Sequence, residues 1–333
     1  LNIVLTKNNF NNMIVLTGAA GFIGSCMLRK LNIEKITDIV IVDDFSKTEK
    51  INNYMHSTFS LKIERTDFIS WFKENADQVE GVYHLGARTD TTEFDWDIFV
   101  KLNLEYTKNI WRICTEYNIP MVYASSAATY GEGENGYIDD LNLIDQLKPL
   151  NPYGRSKHEF DLWALSQNEK PPFWAGLKFF NVYGPNEYHK GRMASVVFHS
   201  FNQIITTNKV KLFRSHREEY KDGQQMRDFV YVKDVVDVLF YLMTYKPQSS
   251  IYNLGSGKAR SFYDLASATF FAMGKGPNIE YIDIPIDIRD KYQYFTEASM
   301  NKLKSIGYNR AFYSLEDGVK DYVQNYLIKQ MYF

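Results

Sequence analysis

The chain has 333 residues, of which 45% are hydrophobic, 16% aromatic and 23% charged, with a formal net charge of −2. This composition is typical of a globular protein with a sizeable core, in which some Tyr and Trp side chains line a ligand cleft. The balance of charge gives no support to a nucleic-acid partner, and the lack of a run of 18 apolar residues excludes a predicted membrane span.

The first twelve residues are rich in Asn and lack the features of a signal peptide. We expect residues 1–12 to be a loose extension outside the fold. The two cysteines, Cys26 and Cys114, lie in apolar patterns typical of helices and lack the spacing of metal ligands. We therefore expect buried thiols, no metal site and a reducing, cytoplasmic compartment.

The first predicted strand, residues 13–17, leads directly into a glycine-rich loop and a helix over 25–31. The loop contains Gly18, Gly21 and Gly24. A strand, a glycine loop and a helix in this order are typical of a site where backbone N–H groups hold a pyrophosphate. The sequence therefore predicts dinucleotide binding near the start of the chain.

The second predicted strand, residues 38–42, ends in Asp43 and Asp44. An acidic residue about 20 positions after the glycines can bind the ribose hydroxyls of adenosine, which favours NAD. Lys47 and Lys50 follow closely, and a lysine can hold the 2′-phosphate of NADP. A solvated loop is the alternative interpretation of these lysines.

A third strand around 61–65 precedes Asp67, which is predicted either to contact the adenine amino group or to cap a helix. A fourth strand, residues 79–85, is followed by the small residues Gly86 and Ala87, which leave room for the dinucleotide. His84, near the end of this strand, is predicted to be structural.

A long helix is predicted over residues 99–117, with Asn103 on its core-facing side. A buried amide needs hydrogen-bond partners. We therefore expect Asn103 to brace the sheet or the cofactor loop.

The fifth strand, residues 119–124, is followed by a turn that contains Ser126. A hydroxyl at the carboxyl end of a central strand points into the crevice where open α/β sheets bind ligands. Tyr153 and Lys157 lie four residues apart on a helix over 153–166, and hence on one face. An ammonium beside a phenol lowers the phenol's pKa, so the pair can transfer a proton beside a hydride acceptor.

A strand over 174–182 completes the alternation of strands and helices, which predicts a Rossmann-type, doubly wound parallel sheet in an α/β fold. From residue 186 the pattern changes, and a smaller, interwoven α/β lobe is expected to bind the substrate. The predicted NAD(P)-binding domain comprises 13–185 and 227–257, and the predicted substrate-binding lobe comprises 186–226 and 258–333. The later predicted elements are strands at 211–213, 251–254 and 279–284, and helices at 197–205, 261–273 and 314–327.

The glycine loop, Ser126 and the Tyr153–Lys157 pair together resemble the extended short-chain dehydrogenase/reductase superfamily, in its NAD-dependent epimerase/dehydratase family. A narrower resemblance is to the ADP-L-glycero-D-manno-heptose 6-epimerases. It is carried by the segments 123–131, 180–185, 189–196, 227–232 and 292–296.

The resemblance implies an isomerase that inverts C6″ of ADP-D-glycero-β-D-manno-heptose, a precursor of the lipopolysaccharide core. It implies a tightly bound NADP, with NAD as the alternative, that is not consumed. Its partners would be this small nucleotide sugar and copies of the same chain, because the resemblance implies a homo-oligomer, a pentamer.

The resemblance assigns a role to each site residue. Tyr153 and Lys190 are the implied acid/bases, Ser126 polarises the reacting oxygen, and Lys157 binds the nicotinamide ribose. The implied cofactor contacts, besides the glycine loop, are Phe22, Ile23, Asp43, Asp44, Lys50, Leu85, Gly86, Ala87, Arg88, Thr89, Asn103 and Val182. The implied substrate contacts are Asn181, His199, Phe213, Arg227 and Tyr292.

Two bases agree with the chemistry of such an inversion. The C–H bond of an unactivated carbinol is not acidic, so inversion needs oxidation to a ketone and reduction on the other face. The hydroxyl then lies on different sides in the two half-reactions, and one proton acceptor on each side is the simple solution. Tyr153 is predicted to serve one side and Lys190 the other; a solvated lysine or a phosphate contact is the alternative for Lys190.

A substrate diphosphate favours an arginine fork. Arg227 is the first candidate, with Arg214 or Arg217 as helpers. Two features depart from the family pattern. Arg192 stands where the family has a small or polar residue near the substrate, and residues 214–226 form a longer loop.

Other activities fit parts of the pattern. A UDP-hexose 4-epimerase would share Ser126 and the Tyr–Lys pair but would not need Lys190. A 4,6-dehydratase is disfavoured, because Ala127 and Ala128 stand where that reaction needs an acidic pair. A non-catalytic dinucleotide-binding protein is the remaining alternative, although such proteins tend to lose the Tyr or the Lys.

Overall fold

The computed structural model describes residues 13–289 and 292–333, so the expected N-terminal extension lies outside the described residues. The strands are β1 Met13–Thr17, β2 Ile39–Asp43, β3 Leu61–Glu64, β4 Val79–His84, β5 Met121–Ser126, β6 Trp174–Phe179, β7 Asn181–Tyr183, β8 Val210–Phe213, β9 Met226–Tyr231, β10 Ser250–Leu254, β11 Ala259–Ser261 and β12 Ile279–Ile282.

The helices flank these strands. They are α1 Phe22–Ile33, α2 Ile51–Tyr54, α3 Phe68–Asn75, α4 Trp96–Phe99, α5 Tyr106–Glu116, α6 Pro152–Ser166, α7 Val196–Thr207, α8 Val232–Tyr245, α9 Phe262–Ala272, α10 Ile286–Arg289, α11 Asn301–Ser305 and α12 Leu315–Tyr322. None of the helices within 13–289 and 292–333 is both long and apolar enough to cross a membrane.

A seven-stranded parallel sheet in the order β3-β2-β1-β4-β5-β6-β10 forms the centre of the molecule. The chain winds outward from β1 to β3, returns to β4, and then winds to the other edge. Ligands bind at the carboxyl ends of the strands where this direction reverses, here between β1 and β4. The predicted Rossmann-type, doubly wound fold is therefore confirmed.

The strands of this sheet are nearly continuous apolar runs because helices cover both faces. Ile14 and Leu16 of β1 pack into one core, with α1 and α8, whereas Val15 packs into a second core on the opposite face. Trp111 lies in this second core and contacts Tyr123 edge to face at a centroid distance of 6.2 Å. Much of the high aromatic content is thus core.

The predicted strand 174–182 is two strands, because the chain turns at Phe180. The N–H of Val182 donates to the carbonyl of Phe180 at 2.9 Å, and β7 then leaves the central sheet to pair with β9. The strands β7, β9 and β11 form a second sheet above the carboxyl edge of the first. After this crossover, residues 186–192 contact the start of α1 and the loop after β4.

The predicted helix 99–117 begins earlier, at Trp96, and contains a π-helical stretch over Val100–Glu105. Such a stretch inserts an extra residue into the turn, and this one contains the buried Asn103. Periodicity alone does not reveal it, because the flanking turns keep the ordinary helical pattern.

Smaller elements surround the second sheet. Strands β8 and β12 pair in parallel, and α7 and α9 cover them with a small core of Ile204, Val210, Leu212, Ala266 and Phe270. The short helices α2, α10 and α11 and the strand β11 were not predicted. The division into a dinucleotide-binding domain and a substrate lobe stays a prediction.

Candidate active site

The glycine loop between β1 and α1 packs against the end of β4. Gly18 has φ +71°, and a Cβ on it would lie 2.6 Å from the backbone N of Gly86. A Cβ on Gly24 would lie 2.0 Å from the carbonyl oxygen of Gly18. The N-terminus of α1 has no side-chain cap from any residue that the structure describes, so its first N–H groups are available to an anion. This loop fits the pyrophosphate of a dinucleotide.

Asp43 organises the same loop from the end of β2. Its Oδ2 accepts a hydrogen bond from the N–H of Ala20 at 2.9 Å, and its Oδ1 accepts from Asp44 N–H at 2.8 Å and from Lys50 Nζ at 3.0 Å. A hydrogen bond from the Ser46 hydroxyl lowers the pKa of Asp44. The structure therefore groups the predicted ribose and 2′-phosphate residues at one place.

Asp67 is exposed and directly precedes α3, but its side chain makes no capping hydrogen bond to that described helix. The predicted position at the N-cap of α3 is therefore confirmed, without a hydrogen bond from the Asp67 side chain. The adenine contact stays a prediction.

Asn103 joins the loop after β4 to the helix that carries Tyr153. Its Oδ1 accepts from the N–H of Arg88 at 2.7 Å, and its Nδ2 donates to the carbonyl of Arg88 at 3.0 Å and to Ser156 Oγ at 3.0 Å. Ser156 Oγ in turn donates to the carbonyl of Tyr153 at 2.7 Å. Asn103 therefore braces the loop after β4, as the sequence predicts. The three bonds use both N–H groups of the amide and one acceptor position of its oxygen.

His84 is structural, as the sequence predicts. Its two ring nitrogens lie 2.7 Å from Thr17 Oγ1 and 2.9 Å from Thr107 Oγ1. Burial, with a smaller effect of Lys157, lowers the pKa of His84 to about 3, so the ring is neutral at ordinary pH.

Ser126 ends β5, and Tyr153 and Lys157 lie on the first turns of α6. Asn151 caps α6 by accepting from the N–H of Gly154 at 2.8 Å, and the proline that follows Asn151 begins the helix. The Ser126 hydroxyl lies close enough to the Tyr153 phenol to act against the rise in its pKa. The structure therefore brings the predicted Ser–Tyr–Lys set to the carboxyl edge of the sheet.

The expected effect of Lys157 on Tyr153 is wrong for this structure. Burial raises the pKa of Tyr153, and the Ser126 hydroxyl opposes that rise only in part. Lys157 Nζ donates to the carbonyl of Ala124 at 2.8 Å, and burial lowers the pKa of Lys157 to about 8. Desolvation dominates the pKa of Tyr153, and Ser126 rather than Lys157 is the group that opposes it.

A buried ion pair that sequence reasoning missed lies beneath this set. Lys178 of β6 and Asp161 of α6 are 2% and 0% exposed, and their charged atoms are 3.3 Å apart. Asp161 also accepts hydrogen bonds from Tyr123 and Ser125 at 3.0 and 2.6 Å, so it anchors the strand that ends in Ser126. The available signal was a lysine inside an otherwise apolar strand.

Replacing Asp161 with Asn should destabilise the fold by about 3–5 kcal/mol, because it leaves the buried Lys178 without its counter-charge. Urea unfolding would measure the change. Glu159→Gln on the same helix is the matched control, since Glu159 pairs with the exposed Arg155 and such pairs contribute about 0–1 kcal/mol. Equal effects of the two substitutions would contradict the assignment of Asp161.

Lys190 lies on the loop that follows β7, against the start of α1. Its Nζ is 5.4 Å from the centroid of the Phe22 ring. The neighbouring His189 ring lies 3.1 Å from Asn53 Nδ2, which donates to the carbonyl of Ala20 in the glycine loop at 2.8 Å. Burial lowers the pKa of Lys190, so its neutral amine is more available than that of an ordinary lysine. The Lys190 amine therefore lies beside the start of α1, directly after the glycine loop.

Arg227 is a buried guanidinium with backbone partners. It is 8% exposed, and it donates to the carbonyls of Met226 at 2.9 Å and of Gln293. Within residues 13–289 and 292–333 it has no carboxylate partner. Burial lowers the pKa of Arg227 because the charged guanidinium loses its hydration. An anion bound beside it would therefore stabilise the charged form.

An aromatic cavity of about 190 Å³ adjoins Arg227, whose guanidinium is 5.5 Å from the ring of Tyr292. Phe213 contacts Tyr292 edge to face at 5.7 Å. Sequence reasoning named Arg217 and Tyr292 but missed most of the lining. The lining residues are Glu132, Gly133, Tyr137, Arg217, Tyr220, Tyr292, Gln293, Tyr294 and Phe295.

The other predicted substrate residues lie further out. Arg214 is exposed and pairs with Asp283 at 3.4 Å, so the structure does not bring it to the cavity. Arg192 is exposed, lies 3.5 Å from Asp90 and bonds Thr92, which joins its loop to the loop after β4.

Three further predicted contacts lie along β7 and α7. Asn181 is exposed and Val182 half-buried, both on β7. The His199 ring lies 3.3 Å from the carbonyl of Arg192. These residues border the loop that carries Lys190.

Comparison with known proteins relates this chain to nucleotide-sugar epimerases. The NAD-dependent epimerase/dehydratase family model matches residues 14–255. An ADP-L-glycero-D-manno-heptose-6-epimerase from Fusobacterium nucleatum is 52% identical over 96% of this chain and 99% of its own length. The crystal structure of the Helicobacter pylori ADP-L-glycero-D-manno-heptose-6-epimerase is similar with a TM-score of 0.78 and 27% identity, over 95% of this chain and 96% of that one.

A UDP-glucose 4-epimerase from Thermus thermophilus, solved in complex with NAD, has the same fold. Its TM-score is 0.73 at 24% identity, over 93% of this chain and 97% of that one. The family model covers most of the chain, and the Fusobacterium relative extends the similarity to nearly all of it. The chain therefore belongs to the NAD-dependent epimerase/dehydratase family.

Proposed function

We propose that this protein is an isomerase that converts ADP-D-glycero-β-D-manno-heptose to ADP-L-glycero-β-D-manno-heptose by inverting C6″. The observation that carries the proposal is the position of Lys190. This lysine, which a 4-epimerase would not need, packs against the Phe22 ring at the cofactor loop, while Tyr153 approaches from α6. The similarity to the Fusobacterium enzyme over nearly the full length supports the same activity.

A nicotinamide dinucleotide, when bound, supplies a reversible hydride acceptor. Gly18, Gly21 and Gly24 would hold its pyrophosphate, and Asp43 and Lys50 lie where its adenosine ribose is expected. Asn181 and Val182 border the other end of the crevice. We propose NADP, because Lys50 places a cation beside Asp43, with NAD as the alternative. Mass analysis of the nucleotide released from purified, denatured protein would tell the two apart.

Tyr153 moves the proton of the substrate hydroxyl on one face of the sugar. Ser126 holds the reacting oxygen beside the phenol, and Lys157 binds the nicotinamide ribose. Because burial raises the pKa of Tyr153, the residue is a strong proton acceptor only once it is ionised, and a positive charge brought into the site would favour that state.

Lys190 serves the opposite face. Its lowered pKa favours the neutral amine that a proton acceptor must be. After the ketone turns over, the oxygen lies on the Lys190 side and takes a proton from the protonated amine of Lys190, whereas the neutral amine accepts a proton when the reaction runs in the reverse direction. Two acceptors on two sides explain why one site can make both epimers.

The substrate's nucleotide diphosphate lies against Arg227 and the aromatic cavity in this proposal. The buried guanidinium would gain a charge partner, and Tyr292 and Phe213 offer flat apolar surfaces. Residues 13–185 and 227–257 would form the dinucleotide-binding domain and the remainder the substrate lobe, with Arg227 at their boundary.

Replacing Arg227 with Lys should weaken binding of the nucleotide sugar about 10- to 100-fold, because the planar fork is lost while the charge remains. KM and a calorimetric Kd would measure this change. Arg310→Lys is the control, since Arg310 is 59% exposed. An unchanged KM in Arg227→Lys would remove Arg227 from the substrate site.

Parallel incubation with ADP-D-glycero-β-D-manno-heptose and UDP-galactose tests the proposed activity. We expect inversion of the heptose without added cofactor. Conversion of UDP-galactose alone would favour a UDP-hexose 4-epimerase. Turnover of neither would favour a non-catalytic dinucleotide-binding protein. A role in making the lipopolysaccharide core precursor, a cytoplasmic location and a pentameric assembly stay predictions from the family resemblance.

A further inference from the structure

The segment that carries Lys190 is held by the C-terminal tail, which we define as residues 326–333. The Tyr188 hydroxyl donates to the carbonyl of Met331 at 2.8 Å. The rings of Tyr188 and Tyr332 meet edge to face with centroids 4.9 Å apart. The N–H of Phe333 donates to Asn186 Oδ1 at 2.9 Å. The tail therefore contacts the chain at two and four residues before Lys190.

The opposite side of the same segment is attached to the dinucleotide-binding loop. Asn186 Nδ2 donates to Ser25 Oγ on α1 at 3.0 Å, and Asn186 itself is fully buried with φ +73°. His189 is joined to the glycine loop through Asn53, as described above. The segment 186–190 thus lies between the glycine loop and the tail.

The tail is itself attached to the core. Lys233 of α8 lies with its Nζ 5.0 Å from the ring centroid of Tyr326 and 5.1 Å from that of Phe333. The same Nζ pairs with Asp321 of α12 at 2.6 Å. Cation–π contacts of this kind stabilise by about 0.5–2 kcal/mol each. The tail is therefore a fixed support rather than a loose end.

The residues after Lys190 are attached through exposed side-chain contacts, in which Arg192 meets Asp90 and Thr92 of the loop after β4. Gly191 has φ +53°, and a Cβ built on it would meet nothing within 4 Å among the residues that the structure describes. Gly191 and Arg192 are both exposed. The buried attachment of the segment is therefore on the Tyr188 side, through Asn186, whereas the contacts of Arg192 are exposed. A catalytic group that is displaced by about 1 Å can lose about 100-fold in rate.

We propose that the tail, through the contact of Tyr332 with Tyr188, is a positioning element for Lys190. The proposal rests on the proposed function, because it assigns the tail to the second of the two acid/bases. The tail would orient the Lys190 amine without contacting the substrate.

Tyr332→Ala tests this role. We expect kcat for heptose inversion to fall about 10- to 100-fold while KM and the amount of bound dinucleotide stay within about twofold. Tyr332→Phe keeps the ring and should retain nearly the wild-type kcat. Tyr245→Ala is the surface control, because Tyr245 is 52% exposed and is the last residue of α8. Urea unfolding would report any general loss of stability.

A second readout does not depend on turnover. Labelling by an amine-selective reagent, followed by peptide mass analysis, should be faster at Lys190 in Tyr332→Ala than in the wild type or Tyr332→Phe. An unchanged kcat in Tyr332→Ala would overturn the proposal. So would a fall in kcat that is matched by a rise in KM and a fall in bound dinucleotide, with the labelling rate of Lys190 unchanged. If the wild type itself does not invert the heptose, the proposed function fails, whereas the labelling comparison still decides whether the tail positions Lys190.

Discussion

Replacing Lys190 with Met should lower the rate of C6″ inversion by about 10²- to 10⁴-fold, the usual contribution of a general acid/base. Met keeps an unbranched apolar stem against the Phe22 ring, so the loop should stay in place, and only the proton acceptor is removed. Steady-state turnover of the heptose substrate, with the bound dinucleotide quantified in the same preparation, measures the effect.

Lys304→Met is the matched control for this substitution, since Lys304 is exposed on α11 and its loss should leave turnover unchanged. If Tyr153 and Lys190 act on opposite faces, Lys190→Met should also change which epimer is oxidised. One epimer presents its hydroxyl to Tyr153 and should still be oxidised, whereas the other presents it to residue 190 and should not. A variant that oxidises both epimers at the wild-type rate would exclude Lys190 as a base.

Replacing Tyr153 with Phe should lower the inversion rate by a similar factor, about 10²- to 10⁴-fold. The substitution keeps the ring on α6 and removes only the hydroxyl beside Ser126, so stability should change by no more than the about 0.5–1.5 kcal/mol of one hydrogen bond. Turnover and urea unfolding of the same preparation separate the two effects.

The epimer preference of Tyr153→Phe should be the reverse of that of Lys190→Met, because the two residues attend opposite faces. Single-turnover absorbance of the nicotinamide with each epimer measures this preference. Tyr245→Phe at the end of α8 serves as the control. If both variants lost oxidation of the same epimer, the assignment of one residue to each face would be wrong.

Local chemistry explains what the sequence alone predicted. Gly18 and Gly24 occupy positions where a side chain would clash with the backbone. Only glycine fits there, so the spacing of the glycines is recognisable from the sequence. Ser126, Tyr153 and Lys157 follow from the end of one strand and the repeat of one helix. The parallel sheet follows from apolar runs that alternate with helices.

Features that depend on distant contacts were not readable in this way. The break at Phe180 moves β7 into another sheet, although its residues continue a strand pattern. The pKa of Tyr153 moves opposite to the expected direction, because burial of the phenol dominates and Lys157 does not oppose it. Lys178 and Asp161 are 17 positions apart in sequence (178 − 161) and belong to different elements, so only the folded chain reveals their pairing.

The most direct test of the account is to incubate the purified protein, without added cofactor, with ADP-D-glycero-β-D-manno-heptose in deuterium oxide and to follow C6″ by NMR. Because the hydrogen removed from C6″ is returned within the closed site, we predict that the L-glycero epimer accumulates with its C6″ hydrogen retained. Failure to form that epimer, or deuterium at C6″ of the product, would contradict inversion by transient oxidation.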